Sequence, residues 1–222
     1  MDQRVLDLSK YWDFFDSLER KDKDLILSSG IYRNFNKGEI LVDGERECMG
    51  LVLVLDGQIR AYTQSEDGKE ITLFRLLGGD SCALSSSCMM KDITFTVNLV
   101  AEQKTKVFNV PSHIYEQLNN KYIAVKNFTM NIMNSRFSDC MQAFELFAFK
   151  NLTSRLASAL IEHYALKQSN VIDITHDILA RDMGTAREVV SRALKQFEDS
   201  NLIKLHRGKI EILDIKGLYR HQ

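Results

Sequence analysis

The sequence predicts an α+β chain in three parts: a β-rich N-terminal region led by helices, one long helix, and a C-terminal helical unit closed by a hairpin. Three observations carry this. Between Phe35 and Pro111 the chain breaks into short apolar runs with turn signals about every ten residues, the texture of a compact all-β sandwich or barrel. After Pro111 the helical period returns: Met130, Met133, Phe137, Cys140, Phe144 and Phe147 step by alternating threes and fours, an a/d seam over about three heptads. Residues 175–197 then read as two short helices around a glycine turn, the second with one polar and one apolar face.

The elements follow in order. The first 35 residues are expected to be helical, with Tyr11, Trp12, Phe14, Phe15, Leu18, Leu25, Ile26 and Leu27 as apolar contacts. Leu51–Leu55 is an uninterrupted apolar run, expected as a buried strand closed by Asp56-Gly57. Gln58–Thr63 alternates as a half-exposed strand, and Ile71–Leu77 stops at Gly78-Gly79-Asp80. Thr94–Val100 and Thr105–Val110 complete the β pattern. The seam residues fit a helix packed on its own β domain or a parallel dimer helix. Ile132, Met141, Leu146 and Phe149 lie off the seam, where they could cover the β domain while the seam meets a partner chain. A helix over about Leu152–Leu166, a short strand at Val171–Ile174, the two-helix unit and a hairpin finish the chain. In the hairpin, Leu202–Leu205 and Ile210–Leu213 flank His206-Arg207-Gly208-Lys209. Helix, helix-turn-helix and basic hairpin together describe a winged helix. The joint before it, near Lys150-Asn151, has no Gly/Pro linker.

Composition narrows the functional classes. At 222 residues the chain has length for two small domains, and 45% hydrophobic with 27% charged content is that of an ordinary globular protein. No apolar run approaches the roughly 20 residues of a membrane span, so no membrane partner is expected. The N-terminal Met-Asp-Gln-Arg-Val-Leu-Asp-Leu lacks the basic start and apolar stretch of a signal peptide, so a cytoplasmic location is expected. Four cysteines (Cys48, Cys82, Cys88, Cys140) with no Cys-x-x-Cys fit neither a disulfide scaffold nor a zinc ribbon. No nucleophile–base motif, Walker loop or dinucleotide fingerprint supports an enzyme with a regulatory β domain.

The charge distribution is more telling than the net of −1. Residues 181–209 hold 7 Lys/Arg against 4 Asp/Glu, so positive charge gathers around the two-helix unit, as phosphate binding requires. Ala180 is small where two helices must approach, Gly184 suits a left-handed turn, and Val190 plugs the angle between the helices. Thr175 is expected to cap the first helix. Thr185 is expected to cap the second, with Glu188 in the capping-box position. Ala186, Val189, Val190, Ala193, Leu194 and Phe197 would form the buried face. The polar face carries Arg187, Glu188, Ser191, Arg192 and Lys195. An arginine fork matches guanine O6 and N7, and a carboxylate accepts from cytosine N4, so Arg187, Glu188, Ser191 and Arg192 are the candidate base contacts. Glu188 could instead serve only the cap. Thr175, Thr185, Lys195, Arg207 and Lys209 are the candidate phosphate contacts, which position without specifying.

These motifs are similar to those of the cyclic-AMP receptor protein and fumarate-nitrate regulator (Crp/Fnr) transcription factors over nearly the whole chain. Gly184–Leu194 resembles the recognition-helix signature. Phe35–Leu41 with Gly44-Glu45, then Leu55-Asp56-Gly57, Asp67–Glu70 and Gly79-Asp80, resemble the family's β-roll punctuation. The resemblance implies a cyclic-nucleotide-binding-like β-roll (a jelly roll) with N-terminal helices over residues 1–120, a dimerisation helix over 121–150 and a winged helix-turn-helix over 151–222. It implies a homodimer reading a near-palindrome in double-stranded DNA with Arg187, Glu188 and Arg192, Ser191 beside them, and half-sites with a TGA-like core. RNA polymerase is the expected protein partner.

The sensor departs from the pattern. Cyclic-nucleotide binders of the family place Gly-Glu-Leu and then an Arg-Ser/Thr-Ala stretch after the glycine-aspartate turn. Here the chain runs Ser81-Cys-Ala-Leu-Ser-Ser-Ser-Cys-Met-Met90, with Phe95-Thr96 near the arginine position. No guanidinium stands there to pair a cyclic phosphate, so cyclic AMP is not the expected effector. Residues 1–47 contain no cysteine, so the family's N-terminal iron–sulfur ligands are not carried over either. The candidate effector pocket comprises Cys82, Ser85, Ser86, Ser87, Cys88 and Phe95. Cys82 and Cys88 fit two small buried side chains, a redox pair, or thiolate ligands to a metal or haem iron, the first being the favoured account. The serine run could offer hydroxyls and N–H groups to a small anion. The effector, a small molecule or a redox signal, is not identified by these residues, and a sensor that binds no effector is the alternative. His113, after Pro111, reads as a surface residue at a helix start.

Overall fold

In the structure, a computed structural model that describes residues 7–43, 49–83 and 97–222, the chain opens with two 3-10 turns, Leu8–Lys10 and Phe15–Ser17. The helix α1 (Arg20–Ser29) follows and ends at Gly30. The expectation of helix through residue 35 is therefore corrected. Ile31–Phe35 is a strand, β1, paired antiparallel with Thr105–Asn109. Its backbone groups pair with a segment seventy or more residues away, which no local periodicity encodes.

The remaining elements of the roll are β2 (Ile40–Val42), β3 (Leu51–Asp56), β4 (Gln58–Gln64), β5 (Glu70–Leu77), β6 (Ser81–Cys82), β7 (Asn98–Ala101) and β8 (Thr105–Val110). They form two four-stranded sheets, ordered β1-β8-β3-β6 and β2-β7-β4-β5. Thr94–Thr96 of the expected Thr94–Val100 strand, like Gly44, Glu45, Cys48, Ser85, Ser86, Ser87 and Cys88, lie outside the described residues.

The chain forms two compact units. One takes in the residues up to Tyr62 together with Leu73–Cys140; the other takes in Thr63–Thr72 with Met141–Gln222.

In the first unit, β3 explains its own composition. Leu51 and Leu53 face a cluster with Leu8, Trp12, Phe14, Phe108 and Tyr115, whereas Val52 and Val54 face the interior of the roll with Ile59, Phe74, Leu76, Leu99 and Val107. A strand covered on both faces needs no polar alternation, hence the run of apolar residues. The N-terminal segment supplies one cover: Trp12 is fully buried and its indole N–H donates to Ser81 Oγ (2.9 Å).

β4 departs from the half-exposed expectation. Ile59 and Ala61 enter the core, but the alternate residues Arg60 and Tyr62 are buried as well. The Arg60 guanidinium lies over the Tyr62 ring, 4.3 Å from its centroid. Beside them Arg75 makes a forked pair with Glu102 (2.7 and 3.2 Å), and Gln58 Nε2 donates to the same carboxylate (2.6 Å). Polar side chains thus roof this face by pairing with one another, a burial that an alternating pattern does not announce.

α2 (Ser112–Lys121) and α3 (Ile123–Phe149) follow, with His113 exposed in the first turn of α2. Phe128 and Ile132 of α3 pack on the Trp12 cluster.

In the second unit, α4 (Leu152–Lys167) is capped by Asn151, whose side chain accepts from the Ser154 N–H (2.9 Å). β9 (Val171–Ile172), α5 (His176–Asp182), α6 (Arg187–Asp199), β10 (Ile203–His206), β11 (Lys209–Ile212) and a short terminal helix, α7 (Ile215–Tyr219), complete it. The strands form one sheet, β10-β11-β9. Leu156, Leu160, Ile172, Leu179, Val190, Leu194, Phe197, Ile203, Ile210 and Leu218 share its core.

Candidate nucleic-acid interface

The interface is built on α5 and α6. Thr175 caps α5 as expected, its hydroxyl accepting from the Ile178 N–H (3.3 Å). The turn then runs through Gly184, which sits at φ +59°. A Cβ there would stand 2.7 Å from Ile71 Cγ1 of the Thr63–Thr72 segment, so glycine is required by backbone conformation and by space alike. Three contacts hold this turn: the Thr185 N–H donates to the Ala180 carbonyl (2.9 Å), the Arg155 guanidinium donates to the Met183 carbonyl, and Ile71 bridges antiparallel to Met183. Burial pushes the Arg155 pKa down, and its guanidinium also covers the Phe147 ring at 4.7 Å.

The cap of α6 is not where the sequence suggests. Ala186 occupies the N-cap position with no side-chain hydrogen bond, and Thr185 lies one residue before it. The Thr185-to-Ala180 bond keeps Thr185 in the turn and delays the helix by a residue. Glu188 is then the second helical residue, not the third, and reaches no cap. Ala186, expected on the buried face, is exposed, and Val189 is half-buried; Val190, Ala193, Leu194 and Phe197 are the buried residues. The correction removes capping as a competing role for Glu188, which stands exposed in the first turn.

Arg187, Glu188, Arg192 and Lys195 are exposed, and Ser191 is half-buried among them. The wing lies at β10–β11, where Arg207 and Gly208 form the two-residue loop and Gly208 takes φ +74°. Arg207 and Lys209 are exposed there. Several cations already have carboxylate neighbours: Arg187 with Asp177 (3.2 Å), Lys195 with Glu198 (2.9 Å) and Asp199 (3.3 Å), and Lys209 with Asp173 (3.2 Å). The Glu198 hydrogen bond is the main reason the Lys195 pKa is raised. Glu198 itself is lowered, chiefly by the Leu205 N–H and then by Lys195, which ties α6 to the wing. Among the described residues no ion pair engages Arg192 or Arg207. Sequence patterns pass over Arg155, Asp177 and His176. The last lies 2.7 Å from Ser191 through its Nδ1. Only tertiary approach brings these side chains to the turn and to α6.

On α3 the seam divides. Met130, Phe137, Phe144 and Phe147 are exposed, Phe137 by 68%. Met133 is half-buried, and Cys140 packs against the interior of its own roll and departs from the exposed stripe. Ile132 covers the roll as expected, whereas Met141 and Phe149 are exposed. Cys82 is fully buried among apolar side chains, the setting of a small hydrophobe. The Cys140 thiol is pushed up by burial and then by the Asp139 charge, which makes it a poorer thiolate. Among the described residues, no group of three or more His, Cys, Asp or Glu is arranged to hold a metal, and no helix is long and apolar enough to cross a membrane.

A β-roll, a long helix and a winged helix-turn-helix with an arginine-bearing second helix define a class: DNA-binding transcription regulators with an N-terminal ligand-binding type of module. Residues 32–122 match the cyclic nucleotide-binding domain and residues 154–221 the Crp-like helix-turn-helix domain. A protein from Eubacterium rectale, described as a transcriptional regulator of the Crp/Fnr family, is 40% identical over 96% of this chain and 98% of its own, with a TM-score of 0.91. The chain belongs to the Crp/Fnr family of transcription regulators. The cyclic AMP receptor protein of Thermus thermophilus is 25% identical over 198 residues, 89% of this chain and 91% of that relative. The transcriptional activator protein FnrA of Stutzerimonas stutzeri is 25% identical over 213 residues, 91% and 85% of the two chains.

Proposed function

We propose that the protein is a homodimeric, signal-gated regulator that reads a near-palindromic DNA site with α6 and clasps the flanking phosphates with the wing, working in the cytoplasm beside RNA polymerase and catalysing no reaction. The observation that carries this is the division of α6: Val190, Leu194 and Phe197 are buried while Arg187, Glu188 and Arg192 stand out on the surface. Arg187, Glu188, Ser191 and Arg192 contact base edges; Thr175, Thr185, Lys195, Arg207 and Lys209 contact phosphates. The exposed apolar residues of α3 support the dimer, since an apolar stripe of that extent is stable in water only when covered.

Its effector is a small molecule or redox signal other than cyclic AMP. The support is the absence of an arginine at Phe95-Thr96, where the family's cyclic-phosphate partner falls. Two measurements test the whole. Selection from a randomised duplex library should enrich a two-fold site whose affinity falls steeply with salt. Cyclic AMP should leave that affinity and the melting temperature unchanged. A library with no enrichment overturns the DNA reading; a cyclic-AMP response overturns the effector reading. If redox and small-molecule challenges also leave affinity unchanged, the sensor is effector-free.

A further inference from the structure

We propose that His176 is a specificity-determining residue of the DNA interface: it fixes the orientation of the Ser191 hydroxyl and thereby sets which base Ser191 recognises. The inference rests on the reading of α6 as the DNA-recognition helix. His176 is the first residue of α5, directly after the Thr175 cap, and its Nδ1 lies 2.7 Å from Ser191 Oγ. The contact joins the start of one helix to the exposed side of the next, where Ser191 sits one turn beyond Arg187 and beside Arg192.

The ring chemistry gives the contact its consequence. Burial lowers the His176 pKa, the Arg187 charge lowers it further, and Asp177 opposes them, so the imidazole is neutral near pH 7. A neutral imidazole has one N–H and one lone pair. In the proposed complex the proton is on Nε2 and is donated to a phosphate oxygen of the bound duplex, an acceptor only. Nδ1 is then the acceptor, and the Ser191 hydroxyl donates its single proton to it. A free serine rotates and reads donors and acceptors alike. Held in this way, Ser191 keeps only lone pairs for the groove. It therefore selects a base that offers an amino group there, the N4 of cytosine or the N6 of adenine, over the acceptor edges of guanine and thymine.

The experiment uses the full chain on duplexes selected from a randomised library, with every base substituted singly at each position of one half-site. Wild type should prefer cytosine or adenine at one position by about tenfold, the weight of a lost hydrogen bond plus an unpaired partner. His176→Phe keeps the ring but neither nitrogen. It should erase that preference and weaken the best site about fivefold. Ser191→Ala should do the same, with no further loss in the double variant. His176→Asn carries an amide atom at the place of Nδ1 and should restore the preference, which a merely structural role for the ring would not. Preference retained in His176→Phe, or lost equally in His176→Asn, overturns the proposal. Arg187→Ala and Arg192→Ala report on the underlying reading. If they weaken binding while His176→Phe leaves base preference intact, only the role of His176 fails. If they too leave binding unchanged, α6 is not the recognition helix.

Discussion

α3 and α6 are both surface helices, yet they leave opposite chemistry in water. α6 buries Val190, Leu194 and Phe197 and exposes charge; α3 exposes Met130, Phe137, Phe144 and Phe147 after its other face has met the roll. The exposed side of α6 is at ease in solvent, so its partner must offer something better than water to each cation, which phosphates and base edges do. The exposed side of α3 is not at ease, and any apolar surface of matching shape would satisfy it. In the proposed function, DNA on α6 would be chosen by hydrogen bonds and a second chain on α3 by area, so variants should separate the two.

The largest effect is expected on α3. Phe137→Glu places a charge in the apolar stripe and should weaken self-association by about a hundredfold, read by sedimentation velocity across a dilution series. A dimer that survives would remove the contrast between the helices. On α6, Arg192→Ala should weaken the preferred operator by about 5- to 100-fold and relax one base position while leaving self-association intact. Fluorescence anisotropy on matched and singly substituted duplexes distinguishes this from a general loss. Gly184→Ala tests the frame in front of α6. Its positive φ and the approach of Ile71 should cost about 1–2 kcal/mol, seen as a lower denaturation midpoint with an unchanged slope. Lys209→Ala should reduce the slope of log affinity against log salt by less than about one, uniformly across sequences, because Asp173 already shares its charge. Glu188→Gln is the smallest in stability and the sharpest in meaning. With the cap at Ala186, melting should move by no more than about 1–2 °C, while preference changes at one base pair. A large drop in melting temperature would return Glu188 to a structural role.

What was legible in the sequence follows the range of the interactions. The polar and apolar faces of α6, the Thr175 cap and the strand of Thr105–Val110 are local patterns, and the structure contains them. The start of α6 fails by one residue because a backbone bond from Thr185 to Ala180 outranks the capping preference of a threonine. The β1 strand is missed because its pairing is remote, and the burial of Arg60 because Tyr62 covers it. Cys140 fits the heptad spacing but packs on the roll; it and Met133, one heptad earlier, are half-buried, whereas Met130, Phe137 and Phe144 are exposed, a division that the spacing alone does not reveal. The candidate pair Cys82 and Cys88 is half described: Cys82 is core, and Cys88 lies outside the described residues.

The carboxylates beside Arg187, Lys195 and Lys209 bear on how such a protein finds its site. In the proposed DNA complex each of these cations would meet an arbitrary stretch of duplex already partly neutralised, so fewer counterions would be released on non-specific contact and the dwell time there would be short. Only where base edges also paired with Arg187 and Arg192 would exchanging Asp177 for the groove become favourable. On that reading the acidic neighbours would act as a brake on loitering, shortening the search through the genome by making wrong addresses easy to leave.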